Sequence, residues 1–205
     1  MRKQVFISSL IGALIGGGMV LWFQSMQSSD IATNQGKRTS DESWMPHNRG
    51  DHMGMMQQMF VTSERGFIEH MIPHHQEAID TAGEVLERGG TTPEVRELMN
   101  NIITAQTADI EEMKNWYETW YGTTYEDGGE YEPMMRELAN LSGAELDRAF
   151  LEDMIMHHMG AIMMARSVQP YLEHDVMEEL TSNIIVNQSR EIETMQQLFA
   201  ELSQR

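Results

Sequence analysis

The chain has 205 residues, 32 of them acidic and 14 basic, for a formal net charge of −18. That length suits one good-sized domain with appendages rather than two full domains, and so negative a surface argues against nucleic acid as a partner while attracting cations. Cysteine is absent and methionine occurs 20 times. Disulfides and thiolate ligands are thereby excluded, whereas thioethers, which bind soft metals without losing a proton, are abundant.

At the N-terminus, Arg2 and Lys3 precede nineteen uncharged residues, Val5 to Phe23. As a helix this stretch spans roughly 28 Å, close to a bilayer core. The basic flank is expected to stay in the cytoplasm and the rest of the chain to be exported. The following "QSMQSSDIA" has no clean small-x-small cleavage site. Residues 1–23 therefore read slightly better as a membrane anchor than as a cleaved signal peptide. The expected location is the periplasm, soluble or anchored to the inner membrane, with membrane contact through residues 5–23 if uncleaved.

Residues 24–61 form a polar linker that contains "MPHNRGDHMGMMQQMF". Met45, Met53, Met55, Met56 and Met59 lie there beside His47 and His52. Few Leu, Ile or Val accompany them, so a mobile thioether and imidazole tract for soft metal is one reading. The other is a helix start with a greasy face from Met53 onward.

Residues 62–205 read as a single all-α domain. Thr62 and Ser63 can cap a helix that runs to Arg88 and stops at Gly89-Gly90. Thr92 caps the second helix, with Pro93 at its first position, and Gly122 ends it after Tyr121. Tyr125 to Glu132 is an acidic loop, and Pro133 is expected to start a short helix through Asn140. Ser142 and Glu145 form a candidate capping box for the third long helix, to Val168. Pro170 breaks the chain before a fourth helix, from about Asp175 to Leu202. Four long helices with short connections within each pair predict an antiparallel four-helix bundle.

The two halves repeat. "FIEHMIPHHQEAI", Phe67 to Ile79, matches "FLEDMIMHHMGAI", Phe150 to Ile162, and "ELMNNIITAQTADIEEM" from Glu97 matches "ELTSNIIVNQSREIETM" from Glu179. Apolar matches need only a core. Histidine pairs on an apolar helix are costlier, because buried ring nitrogens want partners. The first hairpin carries His74, His75, Gln106, Asp109 and Met113; the second carries His157, His158, Gln188, Glu191 and Met195.

Residues four apart share a helix face. His70 can thus point with His74, Met71 with His75, Asp153 with His157 and Met154 with His158. Thioether and neutral imidazole together suit copper, Cu(I) above Cu(II); imidazole alone would also suit Zn(II) or Ni(II). A zincin needs His-Glu-x-x-His, and a di-iron carboxylate bundle needs Glu-x-x-His on two helices. Neither occurs at these histidines. The competing structural reading is a hydrogen-bond network with Asp109, Asp153 and Glu191 as acceptors.

"MIPHHQEAI" and "LSGAELDRAFLEDMIMHHMGAIMMA" resemble the bacterial family known as domain of unknown function 305, a ferritin-like helical group, over about Thr62 to Leu202. The exported, Met- and His-rich layout is similar to its periplasmic copper-resistance members. The resemblance implies a copper-binding bundle without turnover chemistry. It points to Met71, His74 and His75, and to Met154, His157 and His158; His70 stands where the second copy has the more typical Asp153.

The resulting expectation is an exported, non-enzymatic protein that sequesters Cu(I), or Cu(II), with copper efflux components as candidate partners. The alternatives are a metal-dependent oxidoreductase of ferritin-like fold and an envelope interaction module whose histidines are only structural.

Overall fold

A computed structural model describes residues 58–204. The hydrophobic segment 1–23 and the candidate donors Met45, His47, His52, Met53, Met55 and Met56 lie outside the described residues.

Four helices form the domain: α1 (Glu64–Arg88), α2 (Pro93–Tyr121), α3 (Gly143–Val168) and α4 (Asp175–Leu202), with a 3-10 turn (Gln169–Tyr171) before α4. Among the described residues no helix is long and apolar enough to cross a membrane. The ends follow local chemistry. The Ser63 hydroxyl accepts from the Gly66 N–H at 3.0 Å, and the Thr92 hydroxyl accepts from the Val95 N–H at 3.2 Å; each satisfies a donor that the first helical turn leaves free. Gly122 closes α2 in the left-handed region at φ 70°, where a side chain would be strained. Pro73 lies inside α1 without ending it.

Two expectations are corrected. Residues 133–140 form no helix. Their backbone donors are taken by side chains of the long helices: Met134 and Met135 N–H donate to Glu77, at 2.9 Å each, and Arg136 N–H donates to Asp153 at 3.0 Å. Farther along this strap, the Arg88 guanidinium donates to the carbonyls of Ala139 and Leu141, both at 2.8 Å. The second correction concerns Ser142, whose side chain makes no capping bond. The chain enters α3 through Gly143 at φ +57°, not through a capping box.

The helices pair as two hairpins, α1 with α2 and α3 with α4. The hairpins meet mainly through α1 and α3, while α2 and α4 touch only lightly. Two apolar clusters fill the bundle. One joins Val85, Leu98, Ile102, Phe150, Met154 and Met195, from the C-terminal halves of α1 and α4 and the N-terminal halves of α2 and α3. The other joins Phe67, Met71, Met113, Ala165, Met177 and Leu180 from the opposite halves, as an antiparallel bundle requires. Each large side chain removed from water there contributes about 1.5–3 kcal/mol.

Buried carboxylates fasten the hairpins to each other. Asp147 on α3 is fully buried and accepts from Gly90 N–H and Thr91 N–H of the α1–α2 turn, both at 2.8 Å. Glu64 on α1 is also buried and accepts from Glu173 N–H at 2.6 Å and His174 N–H at 2.8 Å, at the start of α4. Glu64 and Asp147 occupy matching positions of the repeat, so each hairpin holds the turn of the other.

Candidate metal site

The two apolar clusters are separated by a polar layer: His74, His75 and Gln106 from the first hairpin, and His157, His158 and Gln188 from the second. All six side chains are buried. Helical geometry divides each histidine pair. Consecutive residues point roughly 100° apart, so neighbours in sequence cannot aim at one spot; their ring centroids are 6.2 Å apart in the first pair and 6.4 Å in the second. His74 and His157 instead meet each other across the α1–α3 interface, with centroids 3.7 Å apart and planes tilted by 33°. The other two turn to the second helix of their own hairpin. His75 Nε2 lies 3.4 Å from Asp109, and His158 Nε2 lies 2.7 Å from Glu191.

Neither ring nitrogen of His74, His75 or His157 has a hydrogen-bond partner among the protein atoms, nor has Nδ1 of His158. His75 and His157 are near enough to carboxylates for electrostatic attraction, at 3.4 and 3.2 Å, but the rings are not aligned to donate. Both polar atoms of Gln106 and the Gln188 oxygen are also unpartnered. Buried polar atoms are nearly always paired in folded proteins, so such a concentration in one layer demands an occupant or a function.

Burial, then the neighbouring imidazoles of His157, His75 and His158, push the His74 ring well below the ordinary histidine value. Burial likewise lowers His157 and His158, opposed by the nearby Glu77 carboxylate at His157 and by the bond to Glu191 at His158. At neutral pH these rings are uncharged and carry lone pairs. That is the state a metal ligand needs.

Glu77 and Tyr131 belong to the site, although no local motif announces them. Glu77 lies 3.2 Å from His157 Nε2, receives the Tyr131 hydroxyl and holds the Met134 and Met135 N–H groups. Burial would raise its carboxyl, but His157, Tyr131 and the Met135 N–H outweigh this and keep it below the ordinary value. Burial, then the Glu77 charge, raises the Tyr131 phenol, which stays protonated. The Tyr131 ring stands edge-on to His74 with centroids 6.1 Å apart. Glu77 falls within "MIPHHQEAI", but nothing there marks it as a site residue; only the strap folding over it reveals the role.

The remaining sequence candidates fall into three groups. Asp109 and Glu191 reach the layer as described. Met71 and Met113 pack in one apolar cluster and Met154 and Met195 in the other, so these four thioethers flank the histidines as core. Met59 packs with Val61 in the Met71 cluster. His70 donates through Nδ1 to the Gly66 carbonyl, 2.8 Å away, and lines a separate pocket with Glu69, Pro73, Tyr125 and Tyr131. Asp153 is taken by Arg136, whose Nε lies 2.8 and 2.9 Å from its two oxygens.

Among the described residues no three His, Asp or Glu side chains converge as a ready-made metal cage. A carboxylate-bridged iron pair or a closed zinc site takes four or more such donors, whereas neutral imidazoles suit a soft ion content with few neutral donors. Charge points the same way, since the desolvation cost of an ion between two apolar clusters grows steeply with its charge.

The family described as domain of unknown function (DUF305) matches residues 17–116 and 64–199. Among solved structures, the Cu(I)-bound form of CopM is 36% identical over 69% of this chain and 98% of that one, with a TM-score of 0.63; CopM is also solved in Cu(II)-bound and Ag-bound forms. A DUF305 fragment from Deinococcus radiodurans is 30% identical over 69% of this chain and 98% of its own, with a TM-score of 0.59. A DUF305 protein from Streptomyces coelicolor is 26% identical over 69% and 94%, with a TM-score of 0.61. No curated protein matches the chain in sequence. The chain belongs to the DUF305 family of four-helix bundle proteins.

Proposed function

We propose that this protein binds copper, chiefly as Cu(I), in the buried histidine layer, and sequesters it in the cell envelope without turnover. One observation carries the reading: four fully buried imidazoles, three of them held neutral by their surroundings, present ring nitrogens that no protein group satisfies. Likeness to CopM, solved with Cu(I), Cu(II) and Ag, supports copper as the cargo. Export rests on the N-terminal sequence, and a contribution to copper resistance follows from sequestration there. The tract from Met45 to Met56 would add further, weaker soft donors, and Cu(II) would prefer exposed nitrogen and oxygen groups over the layer.

The test is an anaerobic Cu(I) titration of the full chain against a competing chelator. Replacing His74, His75, His157 and His158 by Ala is expected to abolish the tightest site, while Leu at Met45, Met53, Met55, Met56 and Met59 removes only weaker ones. Unchanged affinity and stoichiometry in a folded four-histidine variant would reject the reading. Oxidase turnover by the copper-loaded protein that depends on the histidines would favour a redox enzyme instead.

A further inference from the structure

Gly160 lies inside α3, where Ala would be more favourable for a helix. A Cβ built on it would meet three atoms: Met134 Cε at 3.1 Å, His74 Nε2 at 3.2 Å and Met134 Sδ at 3.3 Å. The absence of a side chain thus lets two groups share one small space. One is an unpartnered, fully buried imidazole nitrogen. The other is a thioether sulfur supplied not by a bundle helix but by the strap between the hairpins.

The strap's position there is fixed. Met134 N–H and Met135 N–H donate to Glu77, which also receives the Tyr131 hydroxyl and sits beside His157. Glu77 therefore holds the Met134 backbone over the same face where His74 and His157 meet. Met134 itself is partly buried and packs at the edge of the cluster that holds Met59, Met71 and Met113.

We propose that Met134 Sδ is a ligand of the layer's metal ion, together with His74 Nε2, and that this thioether makes the site selective for soft monovalent ions. The inference rests on the copper-binding reading above. Histidine and carboxylate groups alone do not assemble a third donor here, and a neutral sulfur supplies one without adding charge to a buried site. Thioether favours Cu(I) and Ag(I) and gives little to Zn(II), which accepts imidazole as readily but is poorly served by a neutral sulfur. Glu77 and Tyr131 act as positioning residues through the strap. Gly160 provides the room.

The experiment uses the full chain with Met45, Met53, Met55 and Met56 changed to Leu, so that the N-terminal methionine tract adds no sulfur. Samples loaded with one equivalent of Cu(I) are measured by X-ray absorption, and Cu(I), Ag(I) and Zn(II) affinities by competition. The parent is expected to show a sulfur neighbour at copper. Met134→Leu, similar in size and apolarity, should lose that sulfur and bind Cu(I) and Ag(I) about tenfold more weakly, with Zn(II) affinity unchanged. Gly160→Ala should lose the same sulfur by crowding the thioether, which guards against a folding defect peculiar to the strap variant. Histidine-dependent Cu(I) binding with identical sulfur scattering and affinity in Met134→Leu would overturn the ligand assignment and leave the copper reading standing. A parent that binds no Cu(I) through its histidines would overturn both.

Discussion

The two hairpins come from one template, yet they treat their histidines differently. At matching positions α1 has His70, Pro73 and Glu77 where α3 has Asp153, Met156 and Gly160. Three of these six residues meet the strap. Glu77 binds its backbone, Asp153 binds Arg136 of it, and Gly160 leaves room for Met134. The consequence is electrical as well as steric. His157 has the Glu77 carboxylate beside it, whereas His74 has other imidazoles, the Tyr131 edge and the neutral Met134 thioether. On the opposite side of the layer the hairpins stay alike, with His75 near Asp109 and His158 bonded to Glu191. Duplication thus supplied the donors, and divergence at three positions on one face made that face different from the other.

The strongest test of the shared part concerns the cross-hairpin anchors. Asp147→Ala would remove the shared acceptor of two backbone donors and the Thr91 hydroxyl in a partly buried turn. At roughly 1–3 kcal/mol for each lost partner, the expected destabilisation is about 4 kcal/mol in urea unfolding. Glu64→Ala should approach this, because Glu64 also receives two backbone donors and contacts His174 Nδ1 at 2.7 Å. A large effect at one anchor and none at the other would show that the repeat is symmetrical in shape but not in energy.

The divergent part is broken by Glu77→Ala. It releases Met134 N–H, Met135 N–H and the Tyr131 hydroxyl. These groups are partly exposed and water can reach them, so the expected cost is about 2 kcal/mol. Amide exchange should quicken at Met134 and Met135 and stay unchanged at the α1–α2 turn. Equal acceleration at both places would mean that Glu77 supports the whole bundle and not the strap.

Much of this arrangement was legible in the residues. Helix ends at Ser63, Thr92 and Gly122 follow from hydroxyl caps and a left-handed glycine. The histidine layer stood out because the pairs recur where only apolar residues were needed. The division of each pair was implicit in 3.6 residues per turn, although Met71 and Met154, expected on the neighbouring face as donors, serve as core. The anchors Glu64 and Asp147 could have been found by extending the internal match one turn upstream. The strap could not. Its backbone bonds depend on side chains of α1 and α3 more than a dozen residues away, and "PMMRELAN" reads as a helix when those partners are ignored. The charge of Asp153 likewise does not reveal that Arg136 will occupy it.

Acid sharpens the contrast between the two facing rings. His74, His157 and His158 all lie below the ordinary value of 6.5. Between their lowered values and pH 6.5 the unfolded chain binds more protons than the native one. Their contribution is therefore complete above that pH and declines as pH falls through the window, by up to about 1.4 kcal/mol per pH unit for each group. Glu77 acts in the same direction lower down, since its carboxyl lies below the ordinary 4.5 and its contribution is lost as pH falls through the native value. His74 is depressed further than His157, which Glu77 offsets. His74→Gln should accordingly remove more acid sensitivity than His157→Gln when urea midpoints are followed from neutral pH downward. Identical pH profiles for the two variants would erase the proposed asymmetry.

The smallest expected effect separates what holds the strap from what merely accompanies it. The Arg136 guanidinium meets both Asp153 oxygens and Glu152, and bonding to Asp153 first of all raises its pKa. Yet the Arg136 side chain is 50% exposed, and ion pairs in such surroundings are screened and give about 0–1 kcal/mol. Arg136→Ala keeps the backbone N–H that donates to Asp153, so a loss of at most about 1 kcal/mol is expected, shrinking further in high salt. Cu(I) affinity should hardly change, because the bonds from Met134 and Met135 to Glu77 remain. A clear drop in Cu(I) affinity in Arg136→Ala would move the strap's anchoring from α1 to α3, and with it the origin of the difference between the hairpins.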